Sequence, residues 1–138
     1  MKISASLYSN KTKKIETLTE ELDSVNIDML HVDFNDKKIN ADKIEDDIRR
    51  IRKVSKTPID LHIISETPSV YNNLIERNKI ERVAFQIENI NEEKFQIPNN
   101  KYTEFGIAVT TNTGSKIVKS CQMTFSVCGP WDGEDSGW

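Results

Sequence analysis

A chain of 138 residues, 36% of them apolar, is long enough for one domain with its own buried core. Its 19 basic and 22 acidic residues leave a net charge of −3 with neither sign gathered into a block, which argues against a nucleic-acid footprint or a polybasic membrane patch. No stretch approaches the ~18 apolar residues of a spanning helix, and Met1-Lys2-Ile3-Ser4-Ala5-Ser6-Leu7 lacks the apolar run of a leader, so a cytoplasmic protein is expected.

The first apolar run of strand length is Ile3 to Tyr8. Ser9-Asn10 then offers a helix cap, and Ile15, Leu18, Leu22 and Val25 recur at helical spacing. A second strand is expected over Met29 to Phe34, followed by a helix on Ile39, Ile44, Ile48 and Ile51. A third strand, Ile59 to Ile64, precedes a helix on Val70, Leu74 and Ile80, and Val83 to Ile87 reads as the fourth strand. Glu88 to Lys101 contains Pro98 and four asparagines and can carry little helix. Phe105 to Val109 and Met123 to Val127 are the last strand candidates, joined by Thr110 to Ser120, which fits one or two helical turns. No composition break or repeat divides the chain, so residues 1–138 read as a single βα domain. Cys121 and Cys128 lack CxxC spacing and read as reduced thiols in or beside a strand.

Right-handed βα units in series build either an open doubly wound sheet or a closed barrel. The turn Tyr8-Ser9-Asn10-Lys11 holds no glycine to receive a dinucleotide, and no GxxxxGK[ST] motif is present. The polar residues of two strands favour the barrel. Side chains alternate along a strand, so His31 and Asp33 share one face while Leu30, Val32 and Phe34 share the other, and Asp60 and His62 face away from Leu61 and Ile63. In a parallel sheet covered by helices the polar face turns inward, and the C-terminal strand ends open into one mouth, where Ser6, Asp33 and His62 would meet. The expected fold is a TIM-type (β/α)8 barrel, incomplete here at about six strands.

The chain's only two histidines, His31 and His62, combine with Asp33 into a mixed imidazole and carboxylate set. It suits a divalent metal (Zn²⁺, Fe²⁺, Mn²⁺ or Co²⁺) and leaves positions open for a substrate oxygen. A metal there can polarise a carbonyl while the carboxylate removes the neighbouring proton. A strand His-x-Asp can also be a hydrogen-bonded core pair. Ser6 can contact substrate or simply fill the barrel taper. Asp60 can orient a histidine from behind or pair with a lysine, and Asp36 and Glu88 can sit at the mouth. Gly129 and Gly133 can supply backbone N–H groups to a phosphate or act as plain turn residues.

Five blocks of this sequence resemble the ribulose-phosphate 3-epimerases. Ile3-Ser4-Ala5-Ser6-Leu7-Tyr8-Ser9 is similar to the family's I-A-P-S-I-L-S, and His31-Val32-Asp33-Phe34-Asn35-Asp36 to H-V-D-V-M-D. Pro58 to Pro68 is similar to P-L-D-V-H-L-M-I-E-N-P, Phe85-Gln86-Ile87-Glu88 to V-H-V-E, and Gly106-Ile107-Ala108-Val109 to G-V-A-L. The resemblance implies a (β/α)8 barrel in which Ser6 contacts substrate and His31, Asp33 and His62 bind a divalent metal. It also implies that Asp33 is one of two acid/base residues in the C3 epimerisation of a ketopentose 5-phosphate.

The chain departs from that pattern in places. Asn35 and Ile64 stand where the family has methionines, and Cys128-Gly129-Pro130-Trp131-Asp132-Gly133 follows the phosphate-side N-P-G-F-G-G only loosely. The family's fourth metal ligand and second acid/base Asp come from a seventh strand, which would lie past Trp138. Three readings result. The first is an epimerase-type isomerase, truncated or completed by another chain. The second is a non-catalytic module that keeps the metal or sugar-phosphate site. A decarboxylase-like barrel of the same superfamily is disfavoured. Six strands of an eight-strand plan leave edges that a second copy, a companion fragment or the segment Gly129 to Trp138 with its two tryptophans should cover.

Overall fold

A computed structural model of the chain describes residues 1–91, 95–98, 100–110 and the backbone of 125–127. Six strands, β1 (Ser4–Ser6), β2 (Met29–Asn35), β3 (Ile59–Ile64), β4 (Arg82–Gln86), β5 (Glu104–Val109) and β6 (Phe125–Val127), form one sheet in the order β1-β2-β3-β4-β5-β6. Every adjacent pair is parallel. A doubly wound sheet reverses its strand order at a switch point, whereas a barrel adds each strand beside its predecessor. The strictly sequential order is that of a TIM-type barrel, as expected.

The helices α1 (Ile15–Asp23), α2 (Ala41–Val54) and α3 (Asn72–Arg77) fill the crossovers after β1, β2 and β3. α2 has its signals in place: Asn40 accepts a hydrogen bond from the Lys43 N–H at 2.9 Å, Asp42 stands in the first turn, and Arg52 and Lys53 in the last. Its Ile44, Ile48 and Ile51 pack with Leu30, Val32, Phe34, Leu61 and Ile63 in one apolar cluster between sheet and helices. All six residues of β3 are buried, because helices cover one face of the sheet and the barrel interior the other.

Two helix expectations need correction. Asn10 caps no helix: its Oδ1 accepts from the Thr12 and Lys13 N–H groups in a local turn, and α1 begins at Ile15. Val25 lies beyond the end of α1 and is exposed, since Asn26 has already turned to φ 56°. Val70 is exposed as well, because Pro68 opens a 3-10 turn (Pro68–Tyr71) that precedes a shorter α3. Ile80 follows that helix and is fully buried.

The helix layer is tied to the sheet by a polar strut. Asp47 sits among the buried isoleucines of α2, and Tyr8, just past β1, donates its hydroxyl to Asp47 Oδ2 at 2.6 Å, while Lys43 Nζ reaches Oδ1 at 2.5 Å. Burial and the facing carboxylate push the Tyr8 phenol well above its usual range. Tyr8→Phe removes a charge-assisted bond to a buried carboxylate and should cost about 1–3 kcal/mol of unfolding free energy in a urea titration. An unchanged midpoint would show that Lys43 alone satisfies Asp47. A crevice of about 260 Å³ lies beside this strut, lined in part by Leu7, Lys13 and Arg50. Three of its four cations are matched, Lys13 by Glu21, Arg50 by Glu16 and Lys43 by Asp47, and Lys14 is the fourth.

Candidate metal and active site

The site is built by the register of two strands. β2 carries His-x-Asp and β3 carries Asp-x-His, and the sheet pairs His31 with Asp60 and Asp33 with His62. Each rung therefore sets an imidazole beside a carboxylate on the inner face. His31 Nε2 lies 2.9 Å from Asp33 Oδ1, and His62 Nδ1 lies 3.1 Å from the same oxygen. One donor atom from each residue, an imidazole nitrogen from His31 and His62 and a carboxylate oxygen from Asp33, falls within 4.8 Å of the others. The rings are 5.7 Å apart, and both histidines are completely buried.

The far side of each ring is also engaged. His31 Nδ1 meets Asp60 Oδ2 at 3.1 Å, and that oxygen also accepts from the Ser4 hydroxyl at 3.2 Å. His62 Nε2 meets Gln86 Oε1 at 2.7 Å. Asp60 thus takes the orienting role open to it, with Arg82 Nε 3.9 Å from its other oxygen, and among the described residues it pairs with no lysine. Gln86 comes from β4 and passes its amino group to Glu88 Oε2 at 2.6 Å, while Glu88 Oε1 accepts the Thr110 N–H at 2.6 Å. The network runs without a break from β1 to the end of β5.

Burial works against a charged His31, but hydrogen bonds and charge from Asp33 and Asp60 override it and push the imidazole up to about 9. Asp33 is shifted the other way: burial would raise it, and the two imidazoles hold it well below the usual carboxylate range. A histidine raised from 6.5 stabilises the fold fully below that pH, and the contribution is lost as pH rises through about 9. The thermal midpoint of the metal-free chain should therefore decline across that window, and His31→Gln should flatten the decline. A midpoint independent of pH over the same range would contradict this proton assignment.

The donor set fits a divalent cation. Two imidazole nitrogens and a carboxylate oxygen already crowd one spot, each ring is anchored from behind, and a metal would replace the contacts the two rings now make with Asp33 Oδ1. Both hydrogen bonds to Asp33 end on Oδ1, and the Asp33 side chain is 22% exposed.

Ser6 lies beside His31 in register and shares the face of Ser4, but no hydrogen bond among the described residues joins its hydroxyl to the cluster. Asp36 is committed to its own neighbours, accepting from Ser65 Oγ at 2.5 Å and Tyr71 Oη at 2.9 Å. Gly129, Gly133, Cys121 and Cys128 lie outside the described residues. Gln86, the last residue of β4, carries a role that residue-level reading did not assign, although it stands in one of the five blocks of the resemblance, Phe85-Gln86-Ile87-Glu88. The Asp47 strut was missed as well, and its signal is a carboxylate three residues from both Ile44 and Arg50 on an apolar helix face.

A comparison with curated proteins returns no match. The model of the ribulose-phosphate 3 epimerase family matches residues 2–124, a span that contains both strands of the cluster, the strand that supplies Gln86 and the serines of β1. With most of the sequence covered and a sequential parallel sheet beneath it, the chain belongs to the ribulose-phosphate 3-epimerase family.

Proposed function

We propose that this chain is an epimerase-type isomerase that removes the C3 proton of a ketopentose 5-phosphate, with Asp33 as the base and an enediolate as the intermediate. The convergence of His31, Asp33 and His62 within 4.8 Å carries the proposal. The two histidines, with Asp33, would hold a divalent ion such as Zn²⁺, Fe²⁺, Mn²⁺ or Co²⁺. When bound, that ion supplies Lewis-acid stabilisation of the charge that develops on the substrate oxygens. Asp33 Oδ1 stays with the imidazoles while Oδ2 takes the proton. Burial of both rings keeps water from competing at the inner side of the cluster. Ser6 would contact a substrate hydroxyl beside His31, and the N–H groups near Gly129 and Gly133 would receive the phosphate. We read its setting as cytoplasmic, in keeping with two cysteines that lack CxxC spacing and read as reduced thiols. Among the described residues no helix is long and apolar enough to cross a membrane.

Inversion at C3 needs a proton returned to the opposite face of the enediolate. Among the described residues Asp33 is the one carboxylate in the convergent set: Asp60 is committed behind His31, and Glu88 to Gln86 and Thr110. This favours a second reading, a binding module of the family that keeps the metal or sugar-phosphate site and lacks turnover. Proton NMR of a ketopentose 5-phosphate with metal-loaded protein in D₂O separates the two. Deuterium at C3 supports the enzyme, and inverted product shows that a second acid is supplied. Binding with no exchange at C3 overturns the enzyme in favour of the module.

The same reading includes a second copy of the chain as partner. Among the described residues β1 is paired only with β2, so its other edge is open to a further strand. Sedimentation should show a dimer at micromolar concentration, and a stable monomer would contradict association.

A further inference from the structure

The amide of Gln86 lies between two groups, and one of them admits a single hydrogen-bonding role. On one side Glu88 is anchored, with Oε1 accepting the Thr110 N–H at 2.6 Å and Oε2 2.6 Å from Gln86 Nε2. An ionised carboxylate can only accept, so the amino end of Gln86 must face it. Burial works against the Glu88 charge, but the Thr110 N–H and the Gln86 amide hold the group below its ordinary value, which keeps it in the accepting form. The carbonyl end of Gln86 then faces His62, 2.7 Å from Nε2. A carbonyl oxygen can only accept as well, so Nε2 must be the donor. Reversing the amide would set Gln86 Oε1 against the Glu88 carboxylate with no proton between them, in a place where Gln86 is buried.

We infer that Gln86 and Glu88 form a positioning pair that holds a proton on His62 Nε2 and so reserves Nδ1 for a metal ion beside Asp33. The inference rests on the metal-site reading above and deepens it. It also makes the two imidazoles unequal. His31 is backed by the carboxylate of Asp60, whereas His62 is backed by a neutral amide that neither gains nor loses a proton at physiological pH. His62 therefore acts as a fixed ligand with no outlet for its proton, and proton traffic is confined to Asp33. Gln86 touches neither metal nor substrate on this account and is a positioning residue.

The test reads the ring nitrogens of His62 by ¹⁵N NMR at neutral pH, without metal and with Zn²⁺, and measures Co²⁺ affinity separately. The His62→Gln variant assigns the signals, since His31 is the only other histidine. The unmutated protein should show a slowly exchanging proton on Nε2 in both states, with Nδ1 changing on metal addition. Gln86→Leu should lose that protection and weaken Co²⁺ binding by about 10–100-fold, the usual effect of removing the partner behind a ligating histidine. Glu88→Gln keeps the shape but lets the Gln86 amide turn either way, so it should also lose protection, with affinity falling by about tenfold, the lower end of that range. Gln86→His can accept from His62 and donate to Glu88, and should restore both readouts. An unprotonated Nε2 in the unmutated chain, or unchanged protection and affinity in Glu88→Gln, would overturn the inference. A chain that binds no Co²⁺ would instead defeat the metal reading, while the metal-free ring spectrum still decides the role of Gln86.

Discussion

Asp33→Asn should lower deuterium incorporation at C3 of a ketopentose 5-phosphate by about 10²–10⁴-fold, the range that a positioned general base contributes. The substitution keeps the shape of the side chain and an oxygen for one imidazole, but removes the group that accepts the proton. Because Asp33 also belongs to the ligand set, kcat and KM must be separated and metal content measured in the same preparations. The expected pattern is a large loss in kcat with a smaller change in KM once metal is saturating. Exchange that survives at the unmutated rate would move the base elsewhere and remove Asp33 from the chemistry.

His62→Ala should abolish stoichiometric metal binding, with affinity falling by more than about 100-fold, beyond the usual effect of losing only an outer partner. The loss has two parts. A ligand nitrogen disappears from a three-residue set, and Gln86 Oε1 loses its 2.7 Å donor inside the barrel. His31→Ala should behave alike at the metal but take the imidazole from the buried Asp60 carboxylate, leaving it the Ser4 hydroxyl and the more distant Arg82, so it should destabilise the fold more, a buried carboxylate that loses a partner costing more than a buried amide that does. Equilibrium dialysis with Co²⁺ and thermal unfolding of both variants check the two statements. Retained metal in His62→Ala would contradict the ligand assignment.

Much of this was legible in residue order, for reasons specific to each element. The strands β2, β3 and β5 are apolar on their helix-facing side and bounded by polar stretches, so they stood out to within a residue or two. The inward set His31, Asp33 and His62 followed from strand alternation once the sheet was taken as parallel and covered. Register was not legible. That His31 meets Asp60 and Asp33 meets His62 depends on how the β2 and β3 crossovers stagger the strands, which no local pattern encodes. The partner behind His31 was therefore only one of two options for Asp60, and the partner behind His62 was not assigned. Helix starts were misread where a cap residue serves a turn, as Asn10 does, or where a proline imposes a 3-10 turn, as Pro68 does. Tyr8 and Asp47 lie 39 positions apart, and their bond depends on how α2 packs over the end of β1.

The account stands on a divalent ion held by the convergent set, and anomalous scattering from crystals grown with Zn²⁺ or Co²⁺ tests it most directly. It predicts one anomalous peak per chain bonded to His31 Nε2, an Asp33 carboxylate oxygen and His62 Nδ1, with Asp60 and Gln86 still on the far ring nitrogens. Crystals without a peak at this cluster, in which His31 and His62 remain hydrogen-bonded to Asp33 Oδ1 as in the metal-free chain, would contradict it.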